Sequence, residues 1–446
     1  MFGTDAEARF GTEAVVSTEM TSAIITWINI YRGLAPWTDE DTRTINFAKT
    51  ICSETARLTT LAIGINISGG ARAKWLQEQV NRSLYPRLRK WVEYAAAGGT
   101  VIFKPNGQGI DVVTPDRFLV TAYDSAKNIT GVIFQDNYTS GKNYYSKLEY
   151  HRFEGNIYRV STKTFVSQSE SSIGSEIPIE STRWAGIAPE AQITTVDGKG
   201  IRHMLFGVMT MPEANNIDFD SPLGMSIFSG ALEELKDLDI AYSRNAWEID
   251  NSQSIELIDD VLLQEGRRKA KLPKFVHNVF ASNESNFYQS VDRPLKTDMR
   301  KIGINQQVSF IGYKCGYSNG YFVFDEKTGM VTATQVESDD RRTIQLIKDI
   351  RDQLRSAMDE TIYAMNVFAD LYNLAAGGTY STAYDFGDIT YNEDEDRQRN
   401  YQLMLQGLIP KWYYLMKWEG FSEDDAKKIV AEAESTEKEG LFDGGK

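Results

Sequence analysis

From Thr334 to Leu374 the chain contains neither glycine nor proline and keeps a single apolar stripe. Ile344, Ile347, Ile350, Leu354, Met358, Ile362 and Met365 recur at spacings of three or four, the repeat of one helix face. Thr332 with Gln335, and Thr334 with Glu337, form overlapping capping boxes at the start. Glu337–Arg341, Lys348–Asp352 and Arg355–Asp359 are opposite charges four apart, expected as pairs on the outer faces, and Gly377-Gly378 ends the run. About 40 residues at roughly 1.5 Å each give a rod of about 60 Å, several times an ordinary globular helix. A rod of that length crosses a whole subunit or runs along an interface.

The rest of a 446-residue chain must be arranged around that rod, and the length suggests about two to four structural units. Cys52 and Cys315 stand alone, which supports neither a disulfide framework nor a zinc site and fits a reducing compartment. Apolar runs such as Leu61 to Ile67 are too short to span a bilayer, so no membrane partner is expected. Met1 to Phe10 is mixed and polar, with no export signal. The net charge of −14 argues against a protein that grips nucleic acid, because gripping phosphates needs clustered Lys and Arg. Residues from Asp385 onward carry half of that excess, as a solvated acidic subdomain or an acidic mouth that nucleic acid passes without adhering.

Along the chain, helix is predicted for Thr38 to Ile63, with Thr38 as N-cap, and for Ala73 to Ala97, divided at Pro86. From Thr100 to Phe206 short β-branched and aromatic segments alternate with turns, notably Thr100–Phe103, Gly131–Phe134, Tyr144–Tyr150 and Asn156–Val160. This predicts an antiparallel β region with a serine-rich loop at Ser167–Ser175. Helix resumes at Ser221, with Pro222 at its first position and Phe228, Ala231, Leu232, Leu235, Leu238 and Tyr242 as its apolar stripe. Ser254 to Pro294 breaks into short strands and loops, and another helix spans Thr297 to Gly316. A loop rich in Gly, Tyr and Phe, residues Tyr317 to Val331, leads into the long helix. After it come a strand at Tyr384–Tyr391 and three short helices, at Glu393–Gln406, Pro410–Trp418 and Ser422–Glu434. The class is α+β.

Catalytic signatures are missing from the sequence. There is no phosphate-cradling G-x-x-x-x-G-K-[ST], no G-x-S-x-G elbow and no H-E-x-x-H helix. His151, His203 and His277 lie in separate segments and read as packing or surface histidines. Carboxylate pairs such as Asp259-Asp260 and Asp339-Asp340 arise readily among 62 acidic residues, and acidic groups at Asp39-Glu40-Asp41 and Asn392–Asp396 suit helix starts as well as metals. No catalytic residue, metal site or cofactor is therefore assigned. A basic cluster, Arg267, Arg268, Lys269, Lys271 and Lys274, stands out in an acidic chain, as an exposed loop or as a docking surface for an acidic partner.

The order of these parts resembles the portal proteins of tailed bacteriophages, of the siphophage type from Gram-positive hosts. Tyr144-Tyr145-Ser146-Lys147-Leu148-Glu149-Tyr150-His151-Arg152-Phe153 is similar to their strand signature, and Asp220-Ser221-Pro222-Leu223-Gly224-Met225-Ser226 to the entry of their first stem helix. Gly329-Met330-Val331-Thr332-Ala333-Thr334-Gln335-Val336 resembles the turn from tunnel loop to spine helix, with Gln335 standing where a Glu is expected. Phe386-Gly387-Asp388 resembles the strand after the spine. The likeness runs from Trp37 to Ala433.

It implies the portal fold, with a wing at 1–225, stem helices at 226–254 and 297–316 around a clip at 255–296, and a tunnel loop at 317–331. A spine helix at 332–375, a wing strand at 376–392 and a helical crown at 393–446 complete it. The implied function is a homo-oligomeric ring of about twelve subunits at one capsid vertex of the virion, assembled in the host cytoplasm. Its partners would be double-stranded DNA passing non-specifically, the terminase large subunit, a head–tail adaptor, and the major capsid and scaffolding proteins. Asp325, Glu326, Lys327, Thr328, Gly329 and Met330 would form the DNA-proximal tunnel loop, with Gly329 as its hinge. Glu233, Glu234, Asp237 and Asp239 would be candidates for the channel wall, and Arg267, Arg268, Lys269, Lys271 and Lys274 for the docking face of the clip. Two other classes fit the bare sequence, a capsid or tail component and an acidic hydrolase.

Overall fold

A computed structural model describes residues 2–107, 109–155, 157–194, 201–251, 255–259, 276–279, 288–291, 297–323, 341–387, 393–406, 408–419, 421–422 and 425–432. They divide into two compact units, Met1–Phe386 and Gly387–Lys446. The class is α+β, and among the described residues the sheet pairings are antiparallel except that of one parallel pair.

Two helices precede Thr38, where no element is predicted: α1 (Phe2–Phe10) and α2 (Thr18–Tyr31). Ser17 caps α2 by accepting the Met20 N–H at 3.2 Å, and Met20, Ile24, Trp27 and Ile30 form its buried stripe. The next helix, α3, spans Phe47–Thr59 and not Thr38 onward. Asp39 takes the N–H groups of Asp41 and Thr42, at 2.9 and 2.6 Å, in a local turn that outcompetes the helix. Asn46 then sits in the left-handed region with φ 53°, and α3 starts after it.

Strand β1 (Gly64–Gly69) leads to α4 (Ala71–Gln79), a π turn at Val80–Leu84, a 3-10 turn at Tyr85–Arg87 and α5 (Leu88–Gly98). The irregular turns fall where Pro86 removes a donor from the helical ladder. Strands β2 (Thr100–Pro105) and β3 (Ile110–Val113) form a hairpin. Strands β4 (Phe118–Tyr123), β5 (Ile129–Ser140), β6 (Asn143–Glu154), β7 (Ile157–Ser167) and β8 (Ser175–Ile177) then pair in sequence order, with β9 (Glu190–Ile193) also on β7. The two faces of this sheet differ as strand alternation requires. Leu119, Ile133, Leu148 and Phe165 pack on Ala6 and Phe10 of α1. Lys147, Glu149 and His151 of β6 alternate with Leu148 and Tyr150, so they lie on the opposite face, toward β2.

β10 (Gly207–Thr210) joins β2 at the edge of the small sheet. Residues Met211 to Phe228 then run without forming the helix expected from Ser221, and Leu223 to Phe228 lie in the core. Tertiary bonds take their backbone: Met211 N–H to Gly99 O at 2.8 Å, Gly224 N–H to Thr100 Oγ1 at 2.9 Å, and Ile227 N–H to Ala96 O at 3.0 Å. Gly99, with φ 81°, and Gly224 touch backbone to backbone, and a Cβ on either would collide with the other. Helix α6 therefore spans Leu232–Asn251, after a 3-10 turn at Ser229–Ala231.

Strands β11 (Ile255–Asp259), β12 (Val276–Val279) and β13 (Tyr288–Val291) make a three-stranded sheet in the order β12-β11-β13, with β11 and β12 parallel. Helix α7 spans Thr297–Lys314. The long helix, α8, is described over Arg341–Leu371, 31 residues or about 46 Å. Ile347, Ile350, Leu354, Met358, Ile362 and Met365 are buried as its stripe predicts. Strand β14 covers Tyr380–Asp385 rather than Tyr384–Tyr391, and pairs with β1. The Thr382 and Tyr384 hydroxyls occupy the Asp359 carboxylate at 3.0 and 2.7 Å, so the Asp359 expected to meet Arg355 is bound to β14.

Two buried arginines tie α8 to the body. Arg351 reaches back from α8 to the carbonyls of Leu58 and Thr59, at 3.0 and 3.1 Å, and satisfies the end of α3. Arg72 of α4 does the same for α8. Its fork donates to Asn366 O, Asn366 Oδ1, Ala375 O, Ala376 O and Asp370 Oδ1, at 2.9, 2.8, 2.9, 3.2 and 2.5 Å. A cation at a helix C-terminus also meets the negative end of its dipole.

In the second unit, α9 (Glu393–Leu405) and α10 (Lys411–Trp418) pack together through Tyr401 and Tyr414, and Arg397 bonds Glu419 at 2.7 Å. A helical segment at 425–432 follows, with Ser422 accepting the Asp425 N–H at 3.2 Å.

Candidate functional site: a helical arm and a loop neck

α6 and α7 form an antiparallel pair, held at one end by Glu234 and Lys314 at 2.5 Å and at the other by Glu248 and Arg300. Near the body Leu235, Leu238, Val308 and Ile311 are buried. Farther out, none of the described side chains at 240–249 or 298–307 is buried, so the two helices leave the body as an arm. Trp247, Met299 and Ile302 are 66, 72 and 67% exposed there, and Tyr242, Ile249, Phe310 and Tyr313 are also exposed. Tyr242, expected in a core stripe, is thus on the surface. Two helices alone cannot bury an apolar stripe on every side.

The four acidic wall candidates have different fates. Glu233 and Asp237 are exposed, and Glu234 is held by Lys314. Asp239 is 4% exposed, with one oxygen on Trp37 Nε1 and the other on the Ile45 N–H, both at 2.9 Å. It clamps the 37–45 loop and does not belong to an exposed acidic face.

Beyond α7 the chain is pinned by aromatics. Gly316 turns with φ 85°, and the fully buried Tyr317 shares a 2.7 Å hydroxyl bond with Thr55 of α3. Tyr321 donates to Glu54, whose carboxyl is held low chiefly by Arg57, and Phe322 packs edge-on against Phe47 at 5.4 Å. Ser318 then meets the first turn of α8. Its N–H donates to Thr343 Oγ1 at 2.9 Å, and the Thr343 N–H donates to Ser318 Oγ at 3.3 Å. The segment between these residues leaves and returns at one buried neck. Asp325, Glu326, Lys327, Thr328, Gly329 and Met330 lie within it and outside the described residues, as do the capping boxes at Thr332 and Thr334. Arg267, Arg268, Lys269, Lys271 and Lys274 are likewise outside them, in the chain between β11 and β12.

Other groups with chemical potential are engaged in packing. His151 is buried, with Nδ1 on Tyr158 Oη at 2.8 Å, and burial followed by the charges of Lys104 and Lys147 holds its pKa well below the usual range. His203 is exposed beside Tyr363. Cys52 and Cys315 are fully buried, and burial raises both thiols. A crevice of about 520 Å³ beside α8 is lined by Lys127, Arg202, His203, Gln353 and Glu360, among others. Burial raises the Glu360 carboxyl, but it accepts the Val208 N–H at 3.0 Å and so closes the edge of β10. No group of His, Cys, Asp and Glu among the described residues is arranged to hold a metal ion. No described helix is long and apolar enough to cross a membrane.

The exposed arm is the feature that sequence periodicity missed, because a stripe of apolar residues reads as core whether or not a neighbour covers it. Compared with protein-family models and with curated proteins, the chain matches none.

Proposed function

We propose that this chain is a portal subunit of a tailed bacteriophage, not an enzyme, assembling into a ring of about twelve at one capsid vertex. The ring would pass double-stranded DNA during packaging and ejection. It would dock the terminase large subunit and then a head–tail adaptor, amid capsid and scaffolding proteins. The observation that carries this reading is the α6–α7 arm. It exposes Trp247, Met299 and Ile302, and copies of the same arm in a closed ring would cover them. The chain order supports it as well: an arm, a neck at Ser318 and Thr343, and a long helix returning through the body. Glu233 and Asp237, exposed on the arm, remain candidates for an acidic wall along which phosphates slide. No P-loop is present, so a separate motor supplies the energy.

Negative-stain electron microscopy of Trp247→Ser, Met299→Ser and Ile302→Ser combined tests the arm. Loss of rings with retained helical signal supports the reading, and rings as abundant as in the unaltered protein would sink it. Deleting residues 325–328 tests the loop: rings should persist while DNA packaging fails.

A further inference from the structure

We propose that the solvent side of the α4–α5 junction is a contact for the phosphate backbone of duplex nucleic acid, made by Arg82, Arg87, Arg89 and Lys90. From Gln79 to Val92 the chain has these four cations and no acidic residue, in a protein whose net charge is −14. Val80, Leu84, Leu88 and Val92 are buried at a spacing of four, which leaves Arg82, Pro86 and Lys90 central on the opposite side, with Arg87 and Arg89 beside them. All four cations are exposed, and none makes a hydrogen bond or ion pair with a described residue. Elsewhere in the same unit Arg72, Lys104, Lys127, Lys147, Arg152 and Arg159 each hold a carboxylate, and exposed cations that hold none among the described residues, such as Lys49, Lys74 and Arg117, stand singly in the sequence. Glu78 and Glu93 flank the strip, one turn from Arg82 and from Arg89, and neither pairs with it; Glu93 accepts the Tyr31 hydroxyl at 2.8 Å, and Glu54, which feels the charge of Arg89, is taken by Arg57 and Tyr321.

The strip is also preformed. The π turn and the 3-10 turn carry it, the Tyr85 hydroxyl donates to Ile63 O at 2.9 Å, and Ser83 and Leu84 are buried beneath. Little backbone freedom is therefore lost on binding. A protein partner would meet an apolar centre ringed by polar groups. Here Leu84, Leu88, Trp91 and Val92 all turn inward, and Tyr85, anchored by its hydroxyl, is the large side chain that shows. Guanidinium forks with no apolar centre match phosphate oxygens, without reading sequence. The strip is complete in one chain and does not depend on a ring. Net charge alone hid it, because a total says nothing about clustering.

The test is fluorescence anisotropy of a labelled duplex of about 20 base pairs with the full-length protein at increasing salt. Neutralising about four phosphates gives a log–log salt slope of about −3 to −4, and affinity falling about a hundredfold between 50 and 200 mM salt. Arg82→Gln, Arg87→Gln, Arg89→Gln and Lys90→Gln combined should remove most of the slope and at least tenfold of the low-salt affinity. Arg87→Gln with Lys90→Gln should remove about half of the slope, which keeps the test decisive if the fourfold variant folds poorly. Unchanged binding by either variant overturns the proposal and assigns any affinity to cations elsewhere in the chain. Wild-type protein that ignores the duplex but binds polyglutamate also overturns it, in favour of an acidic protein segment.

Discussion

Lys104 and Glu149 join two sheets, and removing either should be among the most damaging single changes in the chain. Lys104 lies on β2 and Glu149 on β6, and their contact is the ionic link between the small sheet and the large one. Lys147 holds the other oxygen of Glu149 at 2.8 Å, while all three side chains are at most 15% exposed. Burial and the charge of Lys147 press the Lys104 ammonium down to about 7, and the carboxylates of Asp111 and Asp136 act against them beside the Glu149 oxygens that both lysines contact. Glu149→Gln takes from both lysines the carboxylate they contact and leaves Lys147 only Asp136 at 3.8 Å, whereas Lys104→Met leaves Glu149 still paired with Lys147. Breaking such a buried pair costs about 3–5 kcal/mol. With an unfolding entropy of about 2.1 cal/mol/K per residue over Met1–Phe386, that is about 4–6 °C of melting temperature. Glu149→Gln should sit at the upper end, Lys104→Met nearer the lower, and the double variant well short of the sum. Thermal unfolding at pH 7.5 reads this directly. A shift below about 1 °C for Glu149→Gln, or equal shifts for the two single variants, would refute the shared-carboxylate account.

Arg72→Met should cost about 3 kcal/mol or more, by orphaning Asp370 and the carbonyls at the end of α8, with Arg72→Lys intermediate because the fork is lost but the charge stays; urea unfolding midpoints check the order. His151 should make stability fall on acidification. It is held neutral in the folded chain while the unfolded chain takes up the proton near about 6.5, so stability is lost below that pH by up to about 1.4 kcal/mol per unit. Unfolding midpoints at pH 7.5, 6 and 5 should show a shallower fall for His151→Phe, and equal slopes would exclude His151 as the source. Ser318→Ala and Thr343→Val should each cost about 1 kcal/mol and together less than the sum, because they share one pair of bonds. Additive losses in a double-mutant cycle would show that the neck is not a unit.

Residues whose structure is set by nearby neighbours were legible in the sequence, and those set from a distance were not. The α8 stripe from Ile347 to Met365 and the β5–β7 meander follow from periodicity and turns such as Gly155, with φ 61°. The starts of α3 and α6 do not. Asp39 spends its carboxylate on the next turn, and Gly224 is drawn through the core by Thr100, far away in sequence. α2 carried a usable signal, Ser17 before Met20, Ile24 and Trp27. Asp239 looked like one more acidic helix residue because nothing local reveals its bonds to Trp37 and Ile45. The exposed Trp247 and Met299 are legible only once a fold shows which apolar residues remain uncovered.

Native mass spectrometry of the purified full-length protein tests the central claim most directly. Chains of 50.3 kDa in a closed ring of about twelve give a particle of about 600 kDa, with no ladder of smaller open forms at assembly concentrations. A monomer or dimer under conditions where the chain is folded would contradict the portal reading.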